Sequence, residues 1–175
     1  MENIFEATSV EFARSVLPLF SGPQVKIRIE SAPCEYTVSK DLLCSRSSYF
    51  SAMFEGKFQE GEQQTAILEE VKDVVSVQSF EALLQWLYLG RVKFGVKDPD
   101  LQISAIIEFA SLADMCSISG MESQMAQRIK EILCANPGPR TEWGQEMTIQ
   151  TLIVSRLGTS SRQLICLMDT QCVAC

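Results

Sequence analysis

The chain predicts an α+β domain, a small mixed β-sheet capped by a cluster of short helices, on three observations. Val25-Lys26-Ile27-Arg28-Ile29 alternates strictly between apolar and charged residues, which is the period of a strand with one buried face. Tyr36-Thr37-Val38 resumes β character after a break at Ser31-Ala32-Pro33-Cys34, close enough in sequence to fold back as an antiparallel hairpin. From residue 76 onward the apolar residues recur at spacings of three and four, the period of helices.

The remaining elements follow in order. Thr8-Ser9-Val10-Glu11 fits a capping box and starts an amphipathic helix, with Phe12, Val16 and Leu19 on its apolar face and Pro18 limiting its run. Ser21-Gly22-Pro23 is a turn into the first strand. Between Tyr36 and Glu62 the chain passes from strand into one or two short helices, with Leu43, Phe50, Met53 and Phe54 on one face. Gly56 sits where a helix C-cap favours positive φ, and an acidic loop follows. Thr65-Ala66-Ile67-Leu68 reads as a third strand that must return beside the hairpin.

Asp73 or Ser76 caps the next helix, striped by Val77, Phe80, Leu83, Leu84, Leu87 and Tyr88 and ended by Gly90. Trp86 lies off that stripe, where it can cover a neighbouring element, and Arg91-Val92-Lys93-Phe94 alternates over too short a run to assign. Asp98-Pro99-Asp100 opens a further helix with Ile106, Phe109, Ala110, Ala113 and Cys116 in its stripe. A last helix runs from about Met121 to Leu133, with Met125, Ile129, Ile132 and Leu133 inward, and Pro137-Gly138-Pro139 closes the pattern. The division expected is an N-terminal helix over 1–20, a domain over 21–136 and a tail over 137–175.

Composition narrows the function. The 175 residues carry a net charge of −7, and their Lys and Arg are scattered, so there is no basic field to hold a phosphate backbone. The acidic start Met1-Glu2-Asn3-Ile4-Phe5-Glu6 is unlike a secretory leader, and no run approaches the length of a membrane span. An intracellular, soluble protein is expected, cytoplasmic or nuclear, and its seven cysteines are read as free thiols. With no histidine, no nucleophile elbow and no Gly-rich phosphate loop, the expectation is a binding module with no catalytic residues and no cofactor. Cys172-Val173-Ala174-Cys175 has the spacing of half a zinc site, with Cys166 as a third ligand, but lacks a second pair and is read as a thiol-bearing terminus. Cys116 and Cys134 fall on helix patterns and are read as core.

The order of elements, with Tyr36-Thr37-Val38-Ser39-Lys40-Asp41-Leu42-Leu43, Ser47-Ser48-Tyr49-Phe50-Ser51-Ala52-Met53-Phe54, Phe58-Gln59-Glu60, the run Phe80 to Gly90 and Leu112-Ala113-Asp114-Met115, resembles a BTB/POZ domain. The resemblance is to the short members common in fungi and spans roughly residues 20–136. It departs at Ser39, where the family usually carries His, and at Gly22-Pro23-Gln24, where it commonly places Asp before the first strand. It implies a protein-interaction module that forms a homodimer and recruits a partner, including a role as a cullin-RING ubiquitin ligase substrate adaptor. An oligomerisation scaffold that engages no ligase is the alternative. A cysteine-based metal or redox module on the tail is the third. By resemblance the dimer patch comprises Phe12, Val16 and Leu19, with Leu42 and Leu43 opposite. The cullin-docking surface comprises Met53, Phe54 and Phe58 beside the hydrophobic-x-acidic triplet that contains Ile106 and Glu108.

Overall fold

A computed structural model describes residues 7–30 and 32–136. Three strands, β1 (Gln24–Ile29), β2 (Glu35–Ser39) and β3 (Thr65–Leu68), form one sheet in the order β2-β1-β3. β1 pairs antiparallel with β2, placing Val25 opposite Val38 and Ile27 opposite Tyr36. It pairs parallel with β3, with Ile27 beside Ala66 and Ile29 beside Leu68. The sheet is therefore mixed, and the third strand returns beside the hairpin on the β1 side. The alternation of β1 sends Val25, Ile27 and Ile29 to full burial and leaves Gln24, Lys26 and Arg28 in solvent, the period-2 outcome expected of a one-sided sheet.

The N-terminal helix consists of an α turn α1 (Ser9–Glu11), a π turn (Phe12–Val16) and a second α segment α2 (Leu17–Phe20). Thr8 caps α1 with the full reciprocal box, its Oγ1 accepting from Glu11 N while Glu11 Oε2 accepts from Thr8 N at 2.9 Å. Pro18 does not stop the helix. The π turn closes with Leu17 N donating to Phe12 O, and Pro18 then falls in the first turn of α2, where its missing N–H is not called upon.

α3 (Lys40–Arg46) and α4 (Ser48–Glu55) follow β2 and break at Ser47, which is extended and caps α4 by accepting from Phe50 N at 3.1 Å. The Ser47 hydroxyl donates in turn to Cys116 O at 2.5 Å, tying α4 to the end of a distant helix. Gly56 departs from the expected left-handed cap. Its φ is −74°, and the requirement for glycine is steric: a Cβ there would lie 2.2 Å from Ala52 O. The acidic stretch after it forms a short helix, α5 (Gln59–Gln63).

α6 (Val77–Leu89) is capped by Ser76 in a box with Ser79, and ends at Gly90 with φ of 63°, as its sequence predicts. Trp86 is buried and faces the turn after the next helix, within 3.8 Å of where a Gly120 Cβ would stand. α7 (Pro99–Met115) starts on Asp98, whose Oδ1 accepts from Leu101 N at 2.9 Å. α8 (Glu122–Ala135) buries Met125, Ala126, Ile129 and Ile132. Cys134 is exposed rather than in the core, because the buried stripe turns away from it in the last turn, whereas Cys116 is fully buried. The core is one cluster joining the inner sheet face to α3, α4, α6, α7 and α8, with Phe50, Phe54, Phe80 and Phe109 its largest fully buried side chains.

Candidate functional site

Binding surfaces of a filled protomer are found where apolar side chains stay outside. On the N-terminal helix Val10, Phe12 and Leu17 are exposed, Phe12 by 43% and Leu17 by 49%, and in the connection from α4 to α5 Phe58 is 61% exposed; Ile67, Val71, Leu89, Leu101 and Met115 are exposed singly elsewhere.

The N-terminal surface is held by Ser39, buried at the junction of β2 and α3. Its hydroxyl donates to Leu19 O and accepts from Leu42 N at 3.3 Å, and its backbone N–H donates to the Tyr88 hydroxyl at 3.0 Å. One side chain thus caps α3 and fastens α2, while its amide reaches α6. The Phe20 and Tyr88 rings, 5.7 Å apart, close the same corner. Ser39 is therefore a complete hydrogen-bonding group in its own right.

The five residues of the expected dimer patch separate in the fold. Leu42 and Leu43 are 0% exposed, filling the protomer's own core, so neither offers a side chain to a partner. Val16 is also buried and Leu19 is half-buried against the core. Phe12 alone of the five presents a largely free side chain. The spacing puts 12, 16 and 19 on one side of the helix, and that side is covered by the domain at Val16 and Leu19 but not at Phe12, while Leu17, off that side, stays outside.

The expected docking residues separate similarly. Phe54 is buried and stacks on Phe50, with ring centroids 6.3 Å apart and planes inclined by 17°. Ile106 is fully buried, so in the triplet Ile106-Ile107-Glu108 it serves the core, while Glu108 is partly exposed. Met53 is half-buried beside the cluster and Phe58 stands outside it. α4 carries Met53 and Phe54, Phe58 lies three residues beyond its end, and Ser47 joins the start of α4 to Cys116, the C-cap of α7, the helix that carries Glu108.

Neither Cys44 nor Cys116 has the setting of a nucleophile. Burial pushes the Cys116 thiol up to about 12, and burial, with the Glu55 carboxylate adding, pushes that of Cys44 up to about 11. Both are protonated and unreactive near neutrality. At pH 8, site-resolved alkylation of the folded protein is expected to label the exposed Cys34 and Cys134 readily and Cys116 only on unfolding. Labelling of Cys116 as fast as Cys34 would contradict its placement. Glu11 is held below the usual carboxylate range by hydrogen bonds from Thr8, first its hydroxyl and then its backbone. The cap accordingly favours the helix above the ordinary carboxylate pKa and weakens as pH falls through the lowered one. Among the described residues no group of three or more Cys, Asp or Glu is placed to hold a metal ion, and no helix is long and apolar enough to cross a membrane. The cysteines Cys166, Cys172 and Cys175 lie outside the described residues.

The sheet, the helix order and the burial pattern coincide with a match to the BTB/POZ domain family model over residues 24–133, more than half of the chain. The chain belongs to the BTB/POZ family. BTB/POZ domains are protein–protein interaction modules, and this member has their α+β fold, a three-stranded mixed sheet with helices packed on it. The chain is 28% identical over 102 residues to Kelch-like protein 38 of Rattus norvegicus. That alignment covers 57% of this BTB/POZ chain and 17% of the relative, so the chain spans less than a fifth of the curated protein it matches.

Two features of the site escaped sequence reasoning. Leu17 lies off the stripe of Phe12, Val16 and Leu19, and a single apolar residue on an outer face carries no periodic signal. The bond from Ser39 to Leu19 O spans 20 residues, and the only cue was a serine at a strand-to-helix junction, a good N-cap.

Proposed function

We propose that this chain is a self-associating interaction module that recruits a partner as a substrate adaptor of a cullin-RING ubiquitin ligase. The observation that carries the reading is the exposure of Phe58. A phenylalanine left in water three residues beyond α4, whose Phe50 and Phe54 are both buried, has the character of an interface anchor. Phe58, with Met53 and Glu108 as its flanks, is the docking surface for the cullin scaffold in this reading. Val10, Phe12 and Leu17 form the homodimer face. The cullin itself comes from the family resemblance. A division into a helix over 1–20, a domain over 21–136 and a tail over 137–175, membership of the short fungal-type subgroup, and an intracellular, soluble location, cytoplasmic or nuclear, belong to the same proposal.

Co-purification of the full chain with cullin scaffolds tests it, comparing wild type with Phe58→Ala and Glu108→Arg. Binding by the wild type that both changes weaken supports the docking role; binding that ignores both, or no binding, sinks it. The second reading, an oligomerisation scaffold that engages no ligase, is favoured by the burial of Ile106. With that side chain in the core, the hydrophobic-x-acidic triplet loses its first contact residue. Self-association without cullin binding is the result that selects this reading.

A further inference from the structure

Hydrophobic burial does not place α5. Its five residues, Gln59-Glu60-Gly61-Glu62-Gln63, include no apolar side chain, and none of them is buried. A helix this short does not hold itself together in water, so its position depends on contacts with the rest of the fold. The glycine at its centre lowers its helix propensity further, and the Gly61 φ is not in the left-handed region that calls for glycine.

What requires glycine there is the end of α4. A Cβ on residue 61 would lie 2.9 Å from Gly56 O, 3.2 Å from Phe54 O and 3.4 Å from Met53 O. All three are backbone atoms, so no flexible side chain could give way. α5 is thus seated on the C-terminal end of α4 backbone to backbone, at the one residue of the helix that has no side chain.

Phe58 is held by the same contact. It is the N-cap of α5, and its carbonyl accepts from Gly61 N at 3.0 Å and from Glu62 N at 3.4 Å. Gly61 O accepts in turn from Gln64 Nε2, and Gln64 O accepts from Lys26 N of β1 at 3.0 Å. The Phe58 backbone is therefore tied through Gly61 to both α4 and the sheet, while its ring stands mostly in solvent. An anchor whose direction is fixed before it meets a partner loses less freedom on binding.

We propose that Gly61 is a positioning residue of the Phe58 surface: its missing side chain seats α5 on α4, and α5 braces the direction in which Phe58 meets its partner. The proposal rests on the reading of Phe58 as the docking anchor and adds to it a residue that acts through Phe58.

The test places 4-fluorophenylalanine at position 58 of the full chain. It follows the fluorine resonance, amide exchange at residues 61 and 62, and affinity for the cullin scaffold. Gly61→Ala is expected to shift the resonance, speed exchange at both amides and weaken cullin binding at least about tenfold. The denaturation midpoint is expected to stay unchanged, because α5 buries no side chain. Gln64→Gly suits the φ of 52° at that position and removes the bond to Gly61 O, so it is expected to move the same three readouts in the same direction. Gly95→Ala is the control, since a Cβ there meets nothing within 4 Å, and is expected to move none of them. In the Phe58→Ala chain, Gly61→Ala is expected to cost little further affinity, as two changes acting through one contact do not add. An unmoved resonance with unchanged exchange, undiminished cullin binding, or an equal loss in both backgrounds would overturn the proposal. So would a Gly61→Ala chain that unfolds while Gln64→Gly leaves the Phe58 resonance in place. Absence of cullin binding by the wild type would instead sink the docking reading, and the resonance and exchange then decide the bracing by themselves.

Discussion

Phe54→Ala is expected to lower the free energy of unfolding by about 3–5 kcal/mol, whereas Phe58→Ala changes it by less than about 0.5 kcal/mol. The two phenylalanines stand four residues apart across Gly56, and the fold puts one of them 1% exposed and the other 61% exposed. Removing the Phe54 ring leaves a cavity against Phe50 in a core whose neighbours are fixed by the Ser47 cap and the sheet, so little collapse can refill it. Phe58 is mostly in water, with one ring edge beside Gly56, so its truncation gives up little packing. Its cost is therefore expected in binding, where an interface anchor contributes about 2 kcal/mol or more. Chemical denaturation and the cullin co-purification, run on the same two variants, read the two effects separately. A Phe58→Ala protein destabilised as much as Phe54→Ala would show that the ring belongs to the core.

Ser39→Ala is expected to cost about 2–3 kcal/mol, the sum of a lost N-cap and a buried carbonyl left without its donor. The loss is also expected to be directional. Leu19 O is released, so amide exchange across α1, the π turn and α2 accelerates while β1 stays protected. Ser39→Thr keeps a hydroxyl and is expected to restore most of the stability, which a purely volumetric role would not allow. Ser45→Ala serves as the control. Its hydroxyl donates only to Leu42 O within α3, and its removal is expected to leave the exchange of α2 unchanged. Exchange of α2 that is equally slow in Ser39→Ala would contradict the anchoring role.

The contrast between these two predictions also shows what the sequence could reveal. β1 was legible because its alternation is strict and its charges are on one face. Asp98, Ser76 and Thr8 were legible as caps because capping depends on a residue type at a fixed offset from the bond it receives. The division of Phe54 from Phe58, and of Phe12 from Val16, was not. Helical spacing identifies a common face but does not say whether that face ends in the protomer or in a partner. Leu42, Leu43 and Ile106 carry the apolar character that an interface also needs, and the fold spends all three on its own core. Cys134 fell on the helical pattern but on the outer side of the final turn.

Self-association through the N-terminal helix is the claim on which the proposed function depends, and the mass of the full chain in solution tests it most directly. Light scattering at tens of micromolar is predicted to give twice the 19.5 kDa of one chain. Phe12→Asp with Leu17→Asp, both at exposed positions, is predicted to return the mass to that of one chain without loss of helical signal. A wild-type protein that runs as a monomer at that concentration, or a dimer that survives both charges, would contradict the account.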